Sequence, residues 1–116
     1  MSLDRWIVTA EQALARIPSE EGRRFAPVLS HGTLEIEIYA PRGADPQTPH
    51  TRDEVYVVLQ GCGHFTLGAE RRAIGPGDVI FVPAGASHRF EGFSGDFAAW
   101  VVFYGPQGGE KESAGA

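Results

Sequence analysis

Two short stretches of this chain hold the side chains best suited to chemistry. The first runs His50-Thr51-Arg52-Asp53-Glu54 into Val55-Tyr56-Val57-Val58-Leu59-Gln60-Gly61. The second runs Gly77-Asp78-Val79-Ile80-Phe81-Val82 through Pro83-Ala84-Gly85-Ala86-Ser87 to His88. Together they offer two imidazoles and one carboxylate. Three such groups converging on a point bind a divalent transition metal and leave coordination positions open.

Their spacing sets a condition on the fold. Four residues of straight strand cover about 13 Å, at roughly 3.3 Å each, which is too far for two ligands of one ion. Pro49 before them and the β-branched run after them exclude a helix. His50 and Glu54 therefore share a metal only if the chain bends at the polar Thr51-Arg52-Asp53. Glu54 then opens a strand and His50 reaches back from a loop. His88 follows a turn with one fixed φ at Pro83 and one permissive residue at Gly85. That turn delivers it to the start of another strand.

The surrounding elements are short. Thr9-Ala10-Glu11-Gln12 is a capping-box pattern. Ala13, Leu14 and Ile17 share a face, so a short helix is predicted up to Pro18. From there strand signals take over, at 24–30, 33–40, 55–59, 64–67, 71–74, 79–82, 88–90 and 97–104. In the second of these, Leu34, Ile36 and Ile38 alternate with Glu35, Glu37 and Tyr39. Turns at His31-Gly32, Gly61 to Gly63, Gly68-Ala69-Glu70 and Gly75 to Asp78 separate the strands. Short strands at this rhythm predict an all-β sandwich or barrel. The expected layout is an N-terminal helix and arm over 1–22, a barrel over 23–104 and a flexible tail over 105–116.

Bulk properties narrow the function. A chain of 116 residues makes one domain. No apolar run approaches the roughly 20 residues that span a bilayer, so no membrane partner is expected. Asp4 and Arg5, followed by a mixed stretch, do not read as a secretory signal. Cys62 is a lone cysteine, which rules out an intramolecular disulfide and fits a cytoplasmic location. A net charge of −5 argues against nucleic acid as a partner.

With these motifs in view, the chain resembles the cupins over about residues 25–104. The first cupin motif is G-x5-H-x-H-x3-4-E-x6-G, and the second is G-x5-P-x-G-x2-H-x3-N. His50 falls on the second histidine of the first motif, Glu54 on its carboxylate and Gly61 on its closing glycine. Gly77, Pro83, Gly85 and His88 match the second motif in order and spacing. The resemblance implies a small jelly-roll barrel (a double-stranded β-helix) with a metal inside, and often a homodimer. Three positions depart. Thr48 stands where the first histidine belongs, Gly92 replaces the last Asn, and the opening glycine is displaced to Gly43. The remaining set, His50, Glu54 and His88, matches the two-histidine, one-carboxylate donors of non-haem Fe(II) and of zinc; manganese and nickel are further options. Gln47, Thr48, a water or a substrate oxygen would complete the shell.

Other residues read more plainly. His31 and His64 are expected to be structural or exposed. Cys62 is a small turn residue between glycines. Gly61-Cys62-Gly63 is not a nucleotide fingerprint, because no helix follows. Ser87 and His88 are not a nucleophile–base pair, because strand neighbours point to opposite faces. Tyr39, Tyr56, Val58, Phe81, Phe90 and Trp100 are the expected pocket lining. An inward Glu54 sends Tyr56 and Val58 inward, and an inward His88 does the same for Phe90. The cavity then suits a small organic ligand with one chelating end. Two functions follow. One is a metal-dependent dioxygenase, isomerase or decarboxylase, with His64 or Tyr56 as general base if inward. The other is a non-catalytic metabolite-binding or sensor module. Fold alone does not choose between them.

Overall fold

The computed structural model describes residues 6–111. The N-terminal residues 1–5 and the last part of the tail, 112–116, lie outside the described residues, so the reading at Asp4 and Arg5 does too. One helix, α1 (Ala10–Leu14), precedes eight strands. They are β1 (Phe25–His31), β2 (Leu34–Tyr39), β3 (Asp53–Gln60), β4 (Gly63–Leu67), β5 (Glu70–Ile74), β6 (Val79–Val82), β7 (His88–Glu91) and β8 (Ala98–Tyr104). Every expected strand is present. The helix stops short of Ile17. After Leu14 the backbone tightens into i→i−3 bonds, from Arg16 to Ala13 and from Ile17 to Leu14. Pro18 bars the continuation. At the other end Thr9 caps the helix, and Gln12 returns the bond, as the capping box requires.

The strands form two antiparallel sheets, ordered β1-β2-β8-β3-β6 and β5-β4-β7. They face each other as a jelly roll. Between them lies the main core: Tyr39, Tyr56, Val58, Phe65, Val82, Phe90, Phe97, Ala99 and Val101. A second cluster sits on the outer face of the larger sheet. There α1 packs Ala13 onto Ala26, Ile38, Ala40 and Ala98, with Leu14, Ile17 and Trp100 alongside. That second layer explains why both Ile38 and Tyr39 are buried in β2, where simple alternation allows one. Ile38 meets the helix and Tyr39 meets the interior.

Strand parity corrects two expected lining residues. Glu54 pairs with Val82 and Tyr56 with Ile80, so the interior side of β6 carries Ile80 and Val82. Phe81 pairs with Val55, faces outward and is 50% exposed. Trp100 pairs with Ile38 and Val57, on the face that α1 covers. Tyr39, Tyr56, Val58 and Phe90 do line the interior.

The chain after β8 is tied down as far as Glu110. Gly108 N–H donates to the Thr51 carbonyl, and Glu110 N–H donates to Asp53. Among the described residues, no helix is long and apolar enough to cross a membrane.

Candidate metal centre

The bend demanded by the His50–Glu54 spacing is present. Thr51 and Arg52 form it, and β3 begins at Asp53. Backbone bonds hold it on both sides. Gly85 N–H donates to the His50 carbonyl at 2.7 Å. Buried Asp53 accepts from Ala84 N–H at 2.9 Å and Glu110 N–H at 2.8 Å. The turn that carries His88 is thus stitched to the loop that carries His50. Gly85 sits at φ +81°, a backbone region that favours glycine. At Gly61, which closes the first motif, an added Cβ would lie 2.7 Å from the Phe97 backbone and 2.6 Å from Ser94 Oγ.

His50, Glu54 and His88 offer ligand atoms that all lie within 4.8 Å of one another. His88 Nε2 is 3.0 Å from Glu54 Oε1, and His50 Nε2 is 3.7 Å from the same oxygen. Atoms about 2.1 Å from one ion lie about 3.0 Å apart at a right angle and about 3.4 Å apart at a tetrahedral one. The His88–Glu54 separation matches the right-angle value, and the His50–Glu54 separation is a few tenths of an ångström longer than the tetrahedral one, so His50 would close in slightly on an ion. His88 Nδ1 is 2.9 Å from the Ala86 carbonyl. With its hydrogen there, Nε2 turns a lone pair to the cluster, the usual arrangement of a ligating histidine.

Glu54 supplies the test of fit. It is 0% exposed, and neither carboxylate oxygen has a hydrogen-bond partner. The 3.0 Å approach of His88 is no donation while the ring hydrogen sits on Nδ1. A buried carboxylate without donors is costly unless a cation neutralises it. The cluster accepts one positive charge in either of two forms. In the metal-free chain a second proton on His88, at Nε2, would supply it and would donate to Glu54. Burial lowers the His88 pKa, but the hydrogen bond to Glu54, the Ala86 carbonyl and the carboxylate charges outweigh burial and hold it above its ordinary value. A divalent ion would replace that proton. The donor set of two imidazoles and one carboxylate suits iron, zinc, manganese or nickel.

Tyr56 belongs to the same cluster. Its hydroxyl donates to Gln47 Oε1 at 2.8 Å and lies 3.1 Å from His88 Nε2. Burial and the nearby Glu54 raise its pKa well above the ordinary value in the metal-free chain. Gln47 Oε1 is also 3.1 Å from His50 Nε2. Thr48, on the missing-histidine position, is exposed and makes no hydrogen bond into the cluster among the described residues. His64 alternates with Phe65 along β4. Phe65 packs on Tyr56 and His88, so His64 faces away and does not serve as the base.

A cavity of about 400 Å³ opens beside His50 and Gln47. Tyr39, Val101, Phe103 and Phe25 make it largely apolar, and Glu37 is its acidic wall. Burial, then Glu35 and Glu54, raise the Glu37 pKa. Arg52 is held against Phe103 of the cavity wall. It donates to the Thr33 carbonyl, pairs with Glu35 at 3.2 Å and lies over the Phe103 ring. Sequence reasoning missed Asp45, Glu37 and Phe103. Asp45 is the informative omission, because it is buried and accepts from Tyr39, Gln47 and Phe90. The bond from Gln47 N–H to Asp45 is an Asx-turn, a local pattern readable in principle from Asp45-Pro46-Gln47.

Comparison with known proteins places the chain in a family. The Cupin domain model matches residues 35–104, so this chain belongs to the cupins. An uncharacterized protein of Streptomyces coelicolor is 43% identical over 85 residues, covering 72% of this chain and 81% of that protein. Dimethylsulfoniopropionate lyase DddQ of Ruegeria pomeroyi is 32% identical over 81 residues, covering 68% of this chain and 40% of the lyase. Among solved structures, KdgF from a Halomonas species superposes with a TM-score of 0.61 at 25% identity, over 69% of this chain and 77% of that one.

Proposed function

We propose that this cupin is a metal-dependent enzyme that binds a small organic acid or oxo compound and moves a proton on it. The observation that carries the reading is the fully buried Glu54 carboxylate, without a donor while His88 is neutral and held between two imidazoles, one of which, His50, lines an apolar cavity. A divalent ion at that point acts as a Lewis acid toward a ligand oxygen.

The chain's own residues supply the rest. Tyr39, Phe103 and Val101 exclude water from the bound ligand. Tyr56 presents a buried hydroxyl at the cluster, where a proton can leave or return at Oη. Glu37 faces a ligand group that donates hydrogen bonds or carries positive charge. A proton-carrying phenol at the centre favours isomerisation, decarboxylation or elimination over dioxygenation. The resemblance to a lyase whose named substrate is a propionate points the same way.

We also propose a homodimer in the cytoplasm. Ile36, Val102, Val55 and Phe81 stand in one register row across the outer sheet face, and Val79 and Phe81 remain exposed. An apolar row of this kind is usually covered.

Metal content of the purified protein, and of His50→Ala and His88→Ala, tests the site. The wild type should carry metal and both variants should lose it. Equal content in all three removes the site. A panel of small carboxylates and keto acids, assayed with each metal and with oxygen uptake monitored, tests the chemistry. Turnover without oxygen consumption supports the proposal. Oxygen consumption replaces it with a dioxygenase, and tight binding without turnover replaces it with a sensor.

A further inference from the structure

We infer that Gln47 is a fourth protein ligand of the metal centre, aimed there by Asp45. The inference rests on the metal reading above. It concerns what fills the coordination position that Thr48 leaves without a histidine.

Five polar atoms close a ring behind the Gln47 and His50 wall of the cavity. In order they are Gln47 Oε1, His50 Nε2, Glu54 Oε1, His88 Nε2 and Tyr56 Oη. The successive separations are 3.1, 3.7, 3.0, 3.1 and 2.8 Å. The amide oxygen thus stands as close to its neighbours in the ring as the accepted ligands do. Its separation from His50 Nε2 matches two ligands at a right angle about one ion.

The amide cannot be reversed. Gln47 Nε2 donates to Asp45 Oδ2 at 2.9 Å, and an ionised carboxylate only accepts. The oxygen must therefore face the cluster. Asp45 is itself fixed: Phe90 N–H donates to the same oxygen at 2.8 Å, and Tyr39 Oη and Gln47 N–H donate to the other. A buried charge whose acceptor positions are filled in this way is a rigid mount. Its effect is to direct one neutral oxygen at the metal position, and ligands held from behind in this manner are typical of metal sites. A second oxygen beside Glu54 gives a two-nitrogen, two-oxygen set. Such a set is harder than one with three histidines, and it favours manganese and iron more than the histidine-rich version would.

Cobalt(II) provides the test, with affinity read by chelator competition and coordination by visible absorption. Circular dichroism confirms that each variant is folded. Gln47→Ala should bind cobalt about 10- to 100-fold more weakly and with a changed visible spectrum. Gln47→Glu combined with Asp45→Asn, which keeps an oxygen at the position and a hydrogen bond behind it, should recover part of the affinity. Thr48→Val should bind as the wild type does. Equal affinity and an unchanged spectrum in Gln47→Ala would overturn the assignment and leave the two-histidine, one-glutamate site standing. Failure of the wild type to bind cobalt would overturn both. If Gln47→Ala does not fold, the cobalt-loaded wild-type crystal structure decides. Oε1 within about 2.2 Å of the ion supports the assignment, and an oxygen outside bonding distance refutes it.

Discussion

Glu54→Gln should stabilise the metal-free protein while abolishing its metal response. With His88 neutral, its hydrogen on Nδ1, the wild-type carboxylate is fully buried and receives no hydrogen bond. An unsatisfied buried group costs about 1–3 kcal/mol, and more when charged. Glutamine removes the charge at constant shape, and its amide can donate to the His88 Nε2 lone pair 3.0 Å from the present oxygen. One amide N–H stays without a clear partner, so a net gain of about 1–2 kcal/mol is expected. For a domain of this size that raises Tm by about 4–8 °C.

The sign depends on pH. The folded-state pKa of His88 is raised. Its ion pair with Glu54 therefore stabilises the wild type fully below the unfolded histidine value of about 6.5, and that contribution is lost as pH rises through the folded value. The advantage of Glu54→Gln should be largest above that titration and should shrink or reverse below it. Thermal melts in chelator on both sides of the titration measure this. Added metal should raise the wild-type Tm, by about 2.7 kcal/mol of stability at a hundredfold excess over Kd, and leave Glu54→Gln unmoved. A variant less stable than wild type in chelator at alkaline pH, with an intact metal response, would refute the reasoning.

Three further outcomes are expected. Metal affinity should fall as pH drops through the raised His88 pKa, because the ion and the proton compete for Nε2; calorimetric titration across that range reads it. Tyr56→Phe should keep metal and fold but lower kcat by about 10²- to 10⁴-fold if the phenol handles the proton, and steady-state kinetics on any turned-over ligand checks it. Phe81→Glu, on the exposed apolar row, should yield monomers by light scattering without disturbing metal content.

The sequence exposed what depends on local pattern. Period-two alternation located the strands. The His50–Glu54 spacing calls for a bend at Thr51-Arg52-Asp53 if the two share a metal, and the chain does bend there, at Thr51 and Arg52, with Asp53 already in β3. Parity also fixed Tyr56 and Val58 inward with Glu54. The same parity, run from Val82 and Val101, turns Phe81 and Trp100 outward; residue type alone says nothing about direction. The Asp45 network was hidden for another reason. Its partner Phe90 lies 45 residues away, and only folding makes that contact. A loop with no periodicity gives no hint that one of its acids will be buried. Glu37 was hidden because alternation marks it as a solvent-facing residue of a half-buried strand, whereas that face of β2 borders the cavity.

Anomalous diffraction from a metal-loaded crystal is the most direct measurement. The expected result is one ion per chain, bonded to His50 Nε2, Glu54 Oε1 and His88 Nε2, with the Glu54 oxygens satisfied at last. An ion bound elsewhere, or a metal-soaked crystal in which these three groups keep their present contacts with no density between them, would contradict it.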